Sequence, residues 1–236
     1  MTIEQQLALV HARIEEARSR ARSRSDVLLI AVSKTVDAEK IAEAYAAGQR
    51  LFGENRVQEA LQKMDALAET MDAAAWHLLG HIQTNKGRAA PRFAMIQSVD
   101  SVRIAGKLDR MAEEADRILP VLIEVNVAAE DTKSGFAVEQ VWEAFDALRE
   151  LEHLHLAGLM TIAPQTDDLE TIRPVFRQLR ELRDALQEAG GGDGFCHLSM
   201  GMSNDFEVAI QEGATMVRVG RAIFGERRSL PQEVFR

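Results

Sequence analysis

One cysteine, Cys196, and one tyrosine, Tyr45, occur in 236 residues, and only six of the 28 basic residues are lysine. A single cysteine excludes an internal disulfide and any cluster of thiolate metal ligands, and its place in an apolar run predicts a buried, inert thiol. Long apolar runs are missing as well. The stretch Val27–Val32 is far too short to span a bilayer, and residues 1–20 carry no apolar segment behind a basic start. That pattern predicts a cytoplasmic chain. Excess positive charge is also lacking, and a net charge of −9 opposes general attraction to nucleic acid or to an anionic membrane. The exception is Arg18, Arg20, Arg22 and Arg24. They end what reads as an amphipathic helix from about Thr2 to Arg24, where the helix dipole favours cations, and this reading is preferred to a nucleic-acid arm.

The chain is 46% apolar, enough to fill one sizeable core. Short apolar runs alternate with segments of helical period, and no linker or low-complexity tract divides them. Candidate strands are Val27–Ser33, Leu51–Glu54, Ala75–Gly80, Met95–Val99, Val121–Val127, Leu154–Thr161, Cys196–Ser199 and Met216–Val219. Helical spacing fills Ala38–Ala47 behind Asp37, Ser101–Glu114 with Ser101 as cap, Val138–Leu151, and Leu169–Ala189 ahead of Gly190–Gly192. The alternation predicts an α/β fold, a single (β/α)8 barrel of TIM type over residues 1–236 with one additional N-terminal helix. An open doubly wound sheet would place a glycine-rich phosphate turn after the first strand. Here that strand ends in Ser33-Lys34-Thr35, without glycine.

In such a barrel the chemistry belongs at the C-terminal ends of the strands. Lys34 closes the run Val-Leu-Leu-Ile-Ala-Val-Ser, so its amine is expected in the barrel mouth. Desolvation and neighbouring cations there favour the neutral amine that imine formation requires. By position alone, a salt-bridge partner is an equal reading. Residues 197–207, after the seventh strand, and 217–225, around the eighth, read together as a phosphate cup. Gly201 and Gly220 allow close backbone approach, Ser199 and Ser203 offer hydroxyls, and a short turn near Arg221 aims amides at an anion. The alternative is that these small residues only permit tight turns. Arg218, within the strand and two residues before Gly220, is placed to donate to the ring nitrogen of a cofactor whose phosphate Gly220 holds.

With these parts assembled, the sequence resembles the pyridoxal phosphate homeostasis protein family, whose barrel is similar to the N-terminal domain of alanine racemase. The likeness covers nearly the whole chain. It is carried by Ala31-Val32-Ser33-Lys34, Phe52-Gly53-Glu54-Asn55, His77 to Lys86, Ser98-Val99-Asp100-Ser101, Leu159 to Pro164, Leu198 to Ser203 and Val217-Arg218-Val219-Gly220. The resemblance implies a barrel of the type III pyridoxal-phosphate fold and pyridoxal 5′-phosphate (PLP) held as a Schiff base on Lys34. It further implies that Asn55 lies near the ring, that Ser203 and Gly220 contact phosphate with Ser199 close by, and that Arg218 faces the pyridine nitrogen. Arg56 stands where many members have tyrosine, and Thr84 where many have serine.

Other groups carry less. His77 and His81 are four apart, but His77 lies in a strand and His81 in the loop beyond, so no helical metal pair forms; His153 and His155 share a strand face without a third ligand. No metal is expected. His81, Gln83, Asn85 and Lys86 could form a basic, hydrogen-bonding rim near the cofactor, and the sequence does not locate a second PLP site on surface lysines such as Lys86 or Lys133. A lysine-bound PLP raises a racemase or lyase as the rival reading. Against it, arginine at the pyridine nitrogen keeps that nitrogen unprotonated. Moreover, racemases of the similar fold take an opposing tyrosine from a second domain, whereas Tyr45 falls in a helix on the barrel's outer layer. The expectation is a non-catalytic protein of PLP homeostasis, a monomer or weak dimer, that buffers, protects or delivers PLP, with PLP-dependent apo-enzymes as candidate partners, and that binds neither nucleic acid nor membrane. A barrel that binds sugar phosphates without PLP is the other class.

Overall fold

The structure, a computed structural model, describes residues 1–21, 26–82, 87–130, 132–166 and 168–225. Arg22 and Arg24 of the basic stretch, Gln83, Asn85 and Lys86 of the expected rim, and Thr84 lie outside the described residues. Helix α1 (Ile3–Ser19) opens on a reciprocal cap. Thr2 Oγ1 accepts from the Gln5 N–H at 3.2 Å, and Gln5 Oε1 accepts from the Thr2 N–H at 3.0 Å. It stops at Ser19, short of Arg24, and the arginines at its end form surface ion pairs, Arg18 with Glu15 and Asp26, and Arg20 with Glu16.

Eight parallel strands follow: β1 (Leu28–Val32), β2 (Leu51–Glu54), β3 (Ala75–Leu78), β4 (Met95–Val99), β5 (Leu119–Glu124), β6 (Leu154–Met160), β7 (His197–Ser199) and β8 (Met216–Val219). They pair in chain order, and β8 closes on β1 with Leu28 opposite Met216 and Ala31 opposite Val219. The fold is the expected closed eight-stranded barrel. Helices α2 (Ala38–Ala46), α3 (Val57–Leu67), α4 (Val102–Glu114), α5 (Val141–Arg149), α6 (Leu169–Leu186), α7 (Phe206–Gln211) and α8 (Arg221–Phe224) complete the chain. Ser101 Oγ caps α4 by accepting from the Ile104 N–H at 3.3 Å. The buried stripe Leu7, Val10, Ile14 and Ala17, spaced three and four apart, seats α1 against α7 and α8.

Strand boundaries differ from expectation mainly at β5. The run read as Val121–Val127 pairs from Leu119, because Leu119 and Pro120 face Leu154 and His155 of β6. Past Glu124 the chain leaves the ladder, apart from a single bridge between Val125 and Phe136. Cys196 lies just before β7 and is half-buried, not sealed in the core, because the strand begins only at His197. Tyr45 lies on α2 as expected, where its hydroxyl donates to Asp72 Oδ1 at 2.9 Å and accepts from the Ala73 N–H at 3.2 Å.

The two-residue period of the strands sorts their side chains. Leu29, Ala31, Val217 and Val219 join the layer between sheet and helices. Ile30, Met95, Leu122, Ala157 and Met216 form a separate cluster that plugs the lumen. One glycine is required by this packing. Gly158 in β6 has φ 148°, and a Cβ there would fall 2.0 Å from the His197 carbonyl oxygen on β7.

Candidate functional site

Arg218 occupies a lumen-facing position of β8, opposite Ile30 of β1 and two residues beyond Met216. The residue is 5% exposed. Nη1 donates to Ser199 Oγ at 2.7 Å and Nη2 to the Thr161 carbonyl oxygen at 2.8 Å. Ser199 in turn donates to Gln97 Oε1 at 2.6 Å, and the Gln97 amide lies 2.9 Å from His77 Nδ1. The polarity of this chain is determined. An arginine only donates, so Ser199 must pass its own proton to Gln97, whose NH2 then donates to His77, leaving that imidazole neutral with its proton on Nε2. Burial, with His197 nearby, drives the His77 pKa down to about 4, which agrees. Burial also lowers Arg218 to about 10 against the attraction of Asp205 and Glu124, so it stays cationic at neutral pH. Three of its five N–H groups are left uncommitted among the described residues.

Lys34 follows β1 in a tight turn and is half-buried; Thr35 after it has φ 61°. Behind the turn lies a charged cluster. Lys63 of α3 donates to the Ser33 carbonyl oxygen at 2.7 Å, to Glu54 Oε1 at 2.8 Å and to Glu59 Oε1 at 2.7 Å. Glu59 Oε1 also accepts from the Thr35 N–H at 2.6 Å, and Glu54 Oε1 from Ser33 Oγ at 2.7 Å. Glu54 is wholly buried, and its Oε2 has no hydrogen-bond partner among the described residues. Burial raises its pKa in spite of Lys63. Burial acts upward on Glu59 too, but the bonds from Lys63 and the Thr35 amide bring it below its ordinary value.

Gly220 follows β8 directly, and a Cβ there would lie 3.0 Å from the Val32 carbonyl oxygen, so the glycine lets the β8 loop close onto the start of the Lys34 turn. Gly201 has φ 92°, and its carbonyl accepts from the Arg218 N–H at 3.0 Å. Ser203 is half-buried in the turn before α7, which Asp205 closes by accepting from the Met202 N–H at 2.5 Å. Ser199, expected as a hydroxyl near phosphate, sits within the lumen at 0% exposure, with its proton directed at Gln97.

The opposite side of the mouth is a polar cavity of about 280 Å³ lined by Asn55, Gly80, His81, Glu124, Asn126 and Lys133. Gly80 is needed because a Cβ would fall 2.2 Å from the Asn55 carbonyl oxygen. His81 Nδ1 lies 2.7 Å from Asp100 Oδ2. The Lys133 ammonium donates to Glu130 Oε1 at 2.6 Å and to the Ala163 carbonyl oxygen at 3.0 Å. Glu124 ends β5 at 7% exposure, and burial together with Asp100 pushes its pKa up to about 7 against Arg218 and His81. Sequence reasoning passed over Glu124, Gln97, Glu59 and Lys63. A carboxylate closing the apolar run Leu122-Ile123-Glu124 was the one available signal. Glu59 and Lys63 read as an ordinary helical pair four apart.

Residues 6–228 match the family model described as alanine racemase, N-terminal domain. A pyridoxal phosphate homeostasis protein of Aquifex aeolicus is 45% identical over 226 residues, 95% of this chain and 98% of that one. The protein of the same name from Pseudomonas aeruginosa is 44% identical over 228 residues, 96% of each. PipY of Synechococcus elongatus, solved with PLP bound, superimposes with a TM-score of 0.83 at 38% identity, covering 95% of this chain and 100% of that one. An alanine racemase of Clostridium difficile shares the fold alone, with a TM-score of 0.69 at 17% identity over 94% of this chain and 56% of that chain.

Proposed function

The chain belongs to the pyridoxal phosphate homeostasis protein family, and on that premise we propose that it holds PLP as a Schiff base on Lys34 and buffers, protects or delivers the cofactor. The observation that carries this reading is the adjacency of β1 and β8. It sets the Lys34 turn beside Gly220, while Arg218, two residues before Gly220 on β8, keeps three N–H groups uncommitted among the described residues.

The donor set suits the cofactor. Bound PLP supplies an aldehyde that condenses with an amine and a ring that can withdraw electrons. Lys34 offers the amine, Gly220 and Ser203 the backbone and hydroxyl donors for phosphate, and Asn55 a polar wall beside the ring. Arg218 donates to the ring nitrogen and, being cationic with a pKa of about 10, does not hand over a proton there. Ser199 serves this arrangement by accepting from Arg218. A ring left unprotonated is a poor electron sink, and Tyr45 is engaged on α2 with Asp72. Both favour holding over amino-acid turnover. Among the described residues no helix is long and apolar enough to cross a membrane. We place the chain in the cytoplasm as a monomer or weak dimer, passing PLP to apo-enzymes.

Incubation with PLP followed by borohydride is expected to leave a pyridoxyl phosphate mass on the peptide containing Lys34, and Lys34→Ala is expected to remove it from that peptide. A colourless wild-type protein with no such adduct would defeat the reading. Racemisation or elimination of a panel of amino acids at ordinary enzyme rates would defeat the non-catalytic part and favour a racemase or lyase.

A further inference from the structure

The two peptide planes that flank Lys34 are both tied to one pair of side chains on α3. The plane before it carries the Ser33 carbonyl, which accepts from Lys63 Nζ at 2.7 Å. The plane after it carries the Thr35 N–H, which donates to Glu59 Oε1 at 2.6 Å. Lys63 and Glu59 are themselves joined at 2.7 Å. A residue has only two soft backbone dihedrals, and each is a rotation against one of these planes. Holding both planes therefore fixes the direction in which the Lys34 Cα–Cβ bond leaves the chain. The turn needs holding, since Thr35 sits at φ 61°, a region that β-branched residues rarely adopt. Nor is this an ordinary surface pair. The Lys63 side chain is 11% exposed, and its three acceptors come from the end of β1, the end of β2 and α3.

We propose that Lys63 and Glu59 are positioning residues for Lys34, aiming its amine at the cofactor. The proposal rests on the reading that Lys34 carries PLP. Glu54 belongs to the same device: it buries a second carboxylate against Lys63 and holds the Ser33 hydroxyl, so the ammonium cannot swing away. If the amine is aimed in advance, binding does not have to order it, and loosening the turn weakens capture without touching any group that contacts PLP.

The test uses the full chain, titrated with PLP and followed by the absorbance of the imine, its pH midpoint and, in parallel, the melting temperature. Glu59→Ala is expected to raise the Kd for PLP roughly tenfold. Glu59→Gln retains an oxygen for the Thr35 N–H and is expected to stay within about threefold of wild type. Should Glu59→Ala not fold, the pair Lys63→Met with Glu54→Gln, which removes the ammonium without stranding a buried carboxylate, is expected to lose at least as much. A folded Glu59→Ala protein with wild-type Kd and pH midpoint overturns the proposal. So does an equal loss in Glu59→Gln, because charge and not the bond to Thr35 would then be at work. The wild-type borohydride adduct separates the two readings. Its absence from Lys34 defeats both, whereas its presence alongside unaltered variants defeats the positioning role alone.

Discussion

Glu124→Gln should stabilise the protein in alkaline buffer and leave it nearly unchanged in mild acid. The Glu124 carboxyl is 7% exposed, and burial lifts its pKa from 4.5 to about 7. The folded state therefore binds its proton more tightly than the unfolded chain does. Between those two values the folded state holds more protons, so stability falls as pH rises through this window and the loss is complete above it. A rise from 4.5 to about 7 corresponds to roughly 3 kcal/mol at ~1.4 kcal/mol per pH unit. Glutamine mimics the protonated acid in shape and cannot ionise, so it escapes the loss. For a chain of this size that is an advantage of up to about 10 °C in melting temperature at pH 8.5, shrinking towards zero near pH 4.5. Melting curves of both proteins across this range, read by circular dichroism, supply the comparison. A difference that is the same at both ends, or a variant less stable at pH 8.5, would refute the assignment of Glu124 as a buried acid disfavoured in its charged form.

The relay beneath Arg218 predicts that Gln97→Leu costs about 2–3 kcal/mol, since it strands the Ser199 hydroxyl proton and His77 Nδ1 in a sealed lumen. Urea unfolding measures it, and a change under ~0.5 kcal/mol would mean that water satisfies both groups. Gly158→Ala should cost more than ~3 kcal/mol, because the new methyl would sit 2.0 Å from the His197 carbonyl oxygen at φ 148°. Soluble yield and the denaturant midpoint test it, and near-normal values would mean that β6 and β7 can separate there.

The barrel was readable in the sequence because its signal is local. Apolar runs alternating with helical spacing, and a first strand ending in Ser33-Lys34-Thr35, are properties of neighbouring residues. Lys34, Arg218 and Gly220 were legible for a related reason, since each follows or ends such a run and the active face of a barrel lies at its strand ends. Even at β5 the error was only in where the strand starts and stops, which depends on partners in β6. Chain-distant pairings left no such trace. Gln97 and Ser199 stand 102 positions apart, and only closure of the barrel brings them within 2.6 Å. The bond between the Thr35 amide and Glu59 likewise depends on how α3 packs behind β1 and β2.

The sequence by itself determined where the candidate groups stand: one lysine and one arginine at adjoining strand ends, and a lone tyrosine outside them. Only the tertiary structure decided what holds those groups in place and in which charge state. Burial and hydrogen-bond direction set the neutral His77, the cationic Arg218 and the raised Glu124, and both arise from distances between strands that no local pattern encodes.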